Sequence, residues 1–352
     1  MPDITQQLEA QILAAKDSKT KLNIIGGNSK HFLGRESVGE ALNMAEHSGI
    51  VNYQPVELIL TARAGTSLKE IEQALDEQGQ MLAFEPPHLG ETDTLGGTLA
   101  CNLSGPARPW GGSIRDHVLG IRLINGRGEH LRFGGQVMKN VAGYDVSRMQ
   151  AGAMGTLGAI TEVSLKVLPK PAHSVTISQE ISAEDAIQVM NERAGIAKPL
   201  TAACWVDGKM YLRLAGAKSA VDATLREWSG EEVEEAGSFW RNLRNQRADY
   251  FNSAEKLWRF SIKPTALLLL EADRQVIEWG GAQRWYRGDV AIEEMQAMAA
   301  EAGGQVSLYR GGDRVAEVFH KQPEALKRIQ TRLKESFDPE GIFNAGRLYS
   351  WL

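Results

Sequence analysis

Residues 90–158 read GETDTLGGTLACNLSGPARPWGGSIRDHVLGIRLINGRGEHLRFGGQVMKNVAGYDVSRMQAGAMGTLG and hold 15 of the chain's 36 glycines. The order of the clusters says more than their number. TLGGTLACNLSG, PWGGSIRDHVLG, MKNVAGYD and GAMGTLGAI each set glycine beside residues of strand or tight-loop character. Glycine accepts positive φ and lets a second body approach the main chain. So many close-approach points suit a long, flat, phosphate-bearing ligand laid across several loops. They equally suit a β-rich domain with many hairpins, where strand glycines mark bulges and bends.

Outside this stretch the composition bounds the answer. The 352 residues suffice for two domains with separate cores. Hydrophobic content of 43% and charged content of 24% place the chain among soluble globular proteins. The net charge is -5 and no basic patch interleaves with aromatics, so nucleic acid is not an expected partner. Cys101 and Cys204 are the sole cysteines. They lack metal-ligand spacing, so no zinc or iron–sulfur site is expected, and they fit a reduced, cytoplasmic setting. The opening MPDITQQLEAQILAAKD is amphipathic and has no apolar signal core. The longest aliphatic block, Ala266 to Leu270, is far short of the roughly 20 residues that span a bilayer. No transmembrane segment is expected, and any membrane association would be peripheral or through a partner.

The pattern along the chain predicts an α+β protein. Residues 3–16 read as a helix, with Ile4, Leu8 and Ile12 four apart. Leu22 to Ile25 is a short strand that runs into GGNSKHFLG, Gly26 to Gly34. Glu57 to Ala62, a helix capped by Ser67 and Glu70 and ended near Gly79, and Met81 to Phe84 before Pro86-Pro87 read as a β-α-β unit. Val118 to Ile124 and His130 to Phe133 flank a hairpin turn at Asn125-Gly126. Ala159 to Leu168 alternates cleanly, and Pro169 and Pro171 mark a boundary. Beyond it glycine thins and helices return. Strands are expected at Val175 to Ile181, Ala202 to Val206, Lys209 to Leu214, Leu257 to Ile262, Gln275 to Tyr286 and Gln305 to Tyr309. Helices are expected at Glu184 to Arg193, 218–228, Ala291 to Ala302 and Glu324 to Phe337. The acidic run Glu231 to Glu235 reads as a turn or helix start. This second half is a mixed antiparallel sheet with helices on one face.

Gly26-Gly27-Asn28-Ser29-Lys30 is the first phosphate candidate, because successive N–H groups in such a turn form a nest for anionic oxygens. An ordinary β-turn is the competing reading. The chain has no G-x-x-x-x-G-K-[ST], and Gly152, Gly155 and Gly158 have the wrong spacing for a dinucleotide fingerprint and precede a strand.

Taken in order, these signals resemble the flavoproteins with a PCMH-type FAD-binding domain, the vanillyl-alcohol oxidase class. The resemblance covers roughly Leu22 to Pro171: GGNSKHFLG, ELILTARAGTSLKEIEQAL, the EPP turn, DTLGGTLACNLSGP, GGSIRDHVLGIRLING, KNVAGYDVSRMQAG and GTLGAITEVSLKVLPKP. GNSKHFLGR, GPARPWGGSIRDHVLG, LRFGGQVMKNVAGYD, EWGGAQRW and DPEGIFNAGRLY narrow it to the FAD-binding subunits of bacterial glycolate oxidase (glycolate dehydrogenase), over nearly the whole chain.

The resemblance implies two α/β subdomains holding FAD in residues 1–172, a small antiparallel α+β cap in 173–330, and a helix and tail in 331–352 that return to the FAD domain. It places Gly26, Gly27, Asn28 and Ser29 at the FAD pyrophosphate, with Pro86, Pro87, Thr94, Leu95, Gly96 and Gly97 along the same channel. Asn102, Ser104 and Gly105 would continue beneath the ring system, and Gly155 and Ile160 would lie near the adenine. Asn344 and Arg347 match an FNPGR pattern in which Ala345 replaces the proline, and Asn344 joins the cofactor set. Gly143-Tyr144-Asp145 matches a further family motif. Many members tether flavin through a His in the first loop. Asn28 stands in that place and His31 is out of register, so the FAD is expected to be non-covalent.

The implied chemistry is oxidation of a small 2-hydroxy acid such as glycolate. A sister catalytic flavoprotein subunit and an iron–sulfur subunit would carry electrons to a membrane acceptor, at the cytoplasmic face of the inner membrane. Arg259, Arg284 and Arg310, on predicted strands of the second half, are candidate carboxylate clamps, since the guanidinium fork matches a carboxylate. Each also reads as an ordinary structural arginine. Relatives in the class that oxidise D-2-hydroxy acids carry an HxGDGNxH-like metal motif in the cap. This chain has none, and only His173 and His320 of its seven histidines lie beyond the flavin domain. Two alternatives follow: a non-catalytic flavin-carrying or scaffolding subunit, or a standalone FAD oxidoreductase of the same fold.

Overall fold

The structure is a computed structural model and describes residues 3–135 and 145–352. Gly143 and Tyr144 of the expected motif lie outside the described residues.

The first half is built on a five-stranded sheet and two two-stranded ones. Strand β1 (Leu22–Ile25) pairs in parallel with β2 (Glu40–Asn43). Next come β3 (Ile50–Gln54), β4 (Ile59–Arg63), β5 (Gln80–Met81), β6 (Val118–Ile124), β7 (His130–Gly134), β8 (Ala159–Lys166) and β9 (Leu168–Pro169). A five-stranded antiparallel sheet runs β3-β4-β8-β6-β7. The expected β-α-β unit is not one. Ser67 does cap the helix Leu68–Asp76, accepting from the Glu70 N–H at 3.1 Å. The strand after that helix, however, is only β5, which pairs antiparallel with β9 and not with β4. Leu82 and Phe84 of the predicted strand instead plug the core between helix and sheet.

The alternation in β8 does not separate a buried face from an exposed one. Six of its eight residues are buried, because both faces are covered. One face meets the helices Leu68–Asp76 and Leu95–Cys101. At the other, Ala159 packs with Leu8 and Ile12 of the N-terminal helix Thr5–Ser18.

The second half is one antiparallel sheet of β10 (His173–Glu180), β11 (Leu200–Val206), β12 (Lys209–Gly216), β13 (Glu231–Glu232), β14 (Leu257–Ser261), β15 (Gln275–Glu278), β16 (Gln283–Arg287) and β17 (Gln305–Arg310). Its order is β13-β10-β12-β11-β15-β16-β14-β17. Asp207 and Gly208, both at positive φ (51° and 78°), make the tight turn between β11 and β12. The single strand expected over Gln275 to Tyr286 is a hairpin. Trp279, Gly280 and Gly281 take φ of 55°, 65° and 102°, which reverses the chain and pairs Glu278 with Gln283. The acidic run, read as a turn or helix start, leads into the helix Ala236–Arg244, with Glu235 at its N-cap.

The two halves share a core. Leu33, Leu103 and Met154 from the first pack with Trp240, Leu243, Phe251, Trp285 and Tyr309 from the second. The chain end crosses back after the helix Glu324–Phe337. Ile342 and Phe343 are fully buried against β1 and the N-terminal helix, at about 1.5–3 kcal/mol each. A buried ion pair locks this crossing. The Lys334 ammonium donates to Asp338, to the Thr156 carbonyl and to the Phe343 carbonyl, all at 2.7 Å. Asp338 in turn accepts from the Ile342 and Phe343 N–H groups at 3.0 and 2.8 Å. Burial lowers the Lys334 pKa, although Asp338 pulls the other way.

Candidate functional site

A cleft of about 900 Å³, counting its open mouth, lies where β1 ends. Its floor is the loop after Ile25. From Gly26 to Lys30 no main-chain N–H donates a hydrogen bond among the described residues. Asn28 sits in the left-handed region at φ 56°, which turns consecutive N–H groups into one concavity, the geometry of an anion nest. Side chains hold the loop from behind. Asp93 accepts from Ser29 Oγ at 2.5 Å and from the Gly90 N–H at 3.0 Å, and forms a buried ion pair with Lys30. Burial alone would raise the Asp93 pKa, but the Lys30 charge and these hydrogen bonds outweigh it and hold the carboxyl below its ordinary value. The Thr92 hydroxyl donates to the Gly27 carbonyl.

The loop glycines are needed for chain-to-chain contact. A Cβ on Gly27 would stand 1.4 Å from the Thr92 carbonyl oxygen, and one on Gly26 would stand 2.7 Å from Thr94 Oγ1. The facing wall is the start of the helix Leu95–Cys101. Its first donors are already used: Leu95 and Gly96 N–H bond the carbonyls of Thr66 and Ala64 at 2.9 and 2.8 Å, and Gly97 N–H bonds Thr94 Oγ1 at 3.2 Å. The unspent donors therefore belong to the loop.

The structure brings ten of the sequence-predicted cofactor residues to this cleft. Gly26, Gly27, Asn28 and Ser29 form the floor, Thr94, Gly96 and Gly97 the helix side, and Gly155, Ile160 and Asn344 the far end. Asn344 acts as a clip. Its Oδ1 accepts from the Ile24 N–H at 2.7 Å and its Nδ2 donates to the Met154 carbonyl at 2.6 Å, so the amide is spent on main chain. Six predicted residues lie elsewhere. Leu95 is wholly buried in the core and Pro86 is buried in its turn. Asn102 ends the helix at φ 50° with its buried Oδ1 unpartnered. Pro87, Ser104 and Gly105 line a second cleft. Lys30, part of the candidate loop though outside the expected cofactor set, also lines the cleft; sequence reasoning did not single out Met154, which lines it too, or Asp93, which braces the loop from behind. Arg347, noted for its place in the tail pattern, also lines the cleft and donates to the His31 and Arg35 carbonyls at 2.7 and 2.9 Å.

These features fit FAD. A run of free N–H donors suits a diphosphate, and the low walls at Gly96, Gly97, Gly155 and Gly158 admit a flat body. The His31 ring is held to the Asn28 carbonyl at 2.9 Å within its own loop.

The second cleft, about 330 Å³, lies in the seam between the halves. Pro87, Ser104 and Gly105 line one side, and Arg259, Glu278, Gln283 and Tyr309 line the other. Burial raises the Glu278 pKa against the pull of its Trp285 and Gln283 hydrogen bonds. It lowers that of Arg259 and pushes Tyr309 up to about 12. Of the three candidate arginines, only Arg259 reaches this cleft. Arg284 spends its guanidinium on the carbonyls of Gly281, Leu267 and Ala266. Arg310 bonds the Phe251 carbonyl and Gln246, and stacks over Phe32 at 5.2 Å. Both are structural in this fold. No cluster of three or more His, Cys, Asp or Glu able to hold a metal occurs among the described residues.

The FAD binding domain family matches residues 1–134. The chain is 45% identical over 350 residues to glycolate oxidase subunit GlcE of Escherichia coli (strain K12), covering 99% of each chain. It belongs to the GlcE family. A D-lactate dehydrogenase of Archaeoglobus fulgidus is a more distant relative of this GlcE-family chain, 24% identical over 81% of the chain and 76% of its own length. Among solved structures, an alkyldihydroxyacetonephosphate synthase superposes with a TM-score of 0.68 over 97% of this chain and 74% of its own, at 17% identity. That likeness speaks to the fold alone. The GlcE-family chain is thus an FAD-binding oxidoreductase of PCMH-type α+β fold.

Proposed function

We propose that the chain is the FAD-binding subunit of a multi-subunit glycolate dehydrogenase, which oxidises glycolate and like 2-hydroxy acids to the 2-oxo acids. The observation that carries the reading is the row of unspent N–H donors from Gly26 to Lys30 in a GlcE-family chain. When bound, FAD supplies the two-electron acceptor. The chain supplies the cradle: loop N–H groups for the diphosphate, glycine walls for the rings, and Asn344 and Asp93 to hold the cleft's shape. Pro87, Ser104 and Gly105 extend the cofactor side into the seam. Asn28, in place of a tethering histidine, supports non-covalent FAD.

The reading includes a sister flavoprotein subunit, an iron–sulfur subunit and a membrane acceptor. A relative named glycolate oxidase subunit GlcD, from Bacillus subtilis, is 31% identical over 36% of this chain and 27% of its own length. Among the described residues no helix is long and apolar enough to cross a membrane, and the reading has the complex attach the chain to the cytoplasmic face of the inner membrane. The domain division is at about residues 172 and 330, with 331–352 returning to the FAD domain.

The test is oxidation of glycolate by the purified complex with a dye acceptor. A complex loaded with FAD that leaves glycolate untouched overturns the reading. A non-catalytic carrier is the second reading, favoured by a cap in which His173 and His320 are the sole histidines.

A further inference from the structure

The seam cleft contains a cation and a carboxylate that share a cavity without pairing. Arg259 on β14 donates through Nε to Gln283 Oε1 at 2.7 Å, and its two terminal nitrogens donate to nothing among the described residues. Glu278 on β15 accepts at Oε2 from Gln283 Nε2 at 3.0 Å and from Trp285 Nε1 at 2.6 Å, while its Oε1 accepts nothing. Gln283 therefore stands between the two charges and bonds both, and no Arg259–Glu278 contact reaches ion-pair distance. Buried opposite charges left to themselves would close into a pair to offset their desolvation. Here a neutral amide holds them apart, with one guanidinium edge and one carboxylate oxygen free.

Trp279 frames the pair. The Arg259 and Arg108 guanidinium groups lie 5.3 and 4.6 Å from its ring centroid, and Arg108 forms no salt bridge among the described residues. The indole N–H is fixed to the Gly105 carbonyl at 3.0 Å, which ties the cap to the FAD side. The Trp279 backbone, that of a non-glycine residue, is held at φ 55°. Such strain persists where surrounding structure over-determines it and concentrates at functional sites.

We propose that this cleft is the 2-hydroxy-acid site of the chain: Arg259 takes the substrate carboxylate and Glu278 Oε1 accepts the proton of the 2-hydroxyl. The inference rests on the glycolate-oxidising reading above. The two free groups match the two polar ends of the substrate. An anion meets a guanidinium edge with both terminal nitrogens open, and a hydroxyl donor meets an acceptor oxygen. In the reaction the C2–H bond breaks and its electron pair leaves as hydride to FAD. The O–H bond breaks and its proton passes to Glu278, and the C–O bond becomes the carbonyl of the product. The substrate thus gives up one hydride to the flavin acceptor and one proton to Glu278, which passes it on to solvent, so atoms and charge balance. Gln283 is a positioning residue, and a carboxylate takes the role of base in a cap without the HxGDGNxH-like motif.

The test uses the complete FAD-loaded complex and two readouts, steady-state glycolate oxidation and glycolate-induced change in the tryptophan fluorescence of this chain, to which Trp279 and Trp285 at the cleft report. Glu278→Gln is expected to lower kcat by about 10²–10⁴-fold with KM and the fluorescence titration little changed, the loss typical of a removed general base. Arg259→Met is expected to raise KM and shift the titration by about 10–100-fold, the loss of a charged hydrogen bond. FAD content equal to wild type marks a folded variant, and Glu278→Asp, with a shorter carboxylate, is expected to recover part of the rate should Glu278→Gln fail to fold. If the wild-type complex oxidises glycolate while both variants keep wild-type kcat, KM and titration, the inference is overturned and the oxidation belongs to another subunit. A wild-type complex that does not oxidise glycolate at all overturns the functional reading instead.

Discussion

The two clefts are made of different material. The cofactor cleft is made of backbone: its unspent donors are N–H groups of Gly26 to Lys30, and its side chains face inward as scaffolding, like the Lys30–Asp93 pair and the Asn344 clip. The seam cleft is made of side chains on three strands, Arg259, Glu278 and Gln283, that meet only when β14, β15 and β16 pair. Backbone donors recognise what every dinucleotide shares, a diphosphate. Side-chain pairs can be exchanged one at a time, and so suit the part of a site that distinguishes one small acid from another.

If the contrast holds, truncating exposed side chains in the first cleft matters little, while disturbing its backbone is severe. The largest effect is expected for Gly27→Val. Its Cβ would collide with the Thr92 carbonyl at 1.4 Å, and purified protein should retain no flavin by visible absorbance. Asn344→Ala leaves the Ile24 N–H and Met154 carbonyl without their partners. At about 1–3 kcal/mol per buried unmet group, the thermal midpoint should fall and FAD affinity drop at least tenfold, read by fluorescence titration.

Asp93 gives a smaller, pH-dependent effect. Its carboxyl is held below its ordinary value in the folded state, so its contribution is complete above about pH 4 and is lost as pH falls through the folded value. FAD release on acidification should begin below about pH 4, and Asp93→Asn, weaker at neutral pH, should lack that step. The smallest effect is expected for Asn28→Gly. At φ 56° glycine is at ease, and the N–H remains, so the FAD dissociation constant should stay within about twofold by the same titration. A large loss would mean the Asn28 side chain, and not its backbone, does the binding.

The same contrast decides what could be read in advance. Backbone-made features leave local marks. The strand-to-loop step at Ile25-Gly26, the Ser67 cap and the Asp207-Gly208 turn were all visible, because glycine, serine and aspartate choices answer to nearby geometry. The reason for the glycines was less visible. Gly27 clears Thr92, a Cβ on Gly105 would stand 2.4 Å from the Glu85 carbonyl oxygen, and one on Gly126 2.5 Å from Asp338 Oδ1. Much of the glycine-rich stretch therefore serves chain packing, and among its described residues only Gly96, Gly97, Gly155 and Gly158 reach the cofactor cleft. Features that depend on remote partners left no mark. Lys30 finds Asp93 63 residues away, and Lys334 finds Thr156 178 away. Arg259, Arg284 and Arg310 looked alike as strand arginines until the sheet assigned two of them to carbonyls and neighbours and left one facing a cavity. The Gln275 to Tyr286 run hid a hairpin because the segments on both sides of Gly280-Gly281 read alike as strand and both are buried.

The most direct test of the cofactor cleft is the flavin content of the isolated chain, measured by visible absorbance before and after the protein is denatured and precipitated. A stoichiometric amount of FAD that passes wholly into the supernatant is the predicted result. A folded but colourless chain, or flavin that stays with the precipitated protein, would contradict it.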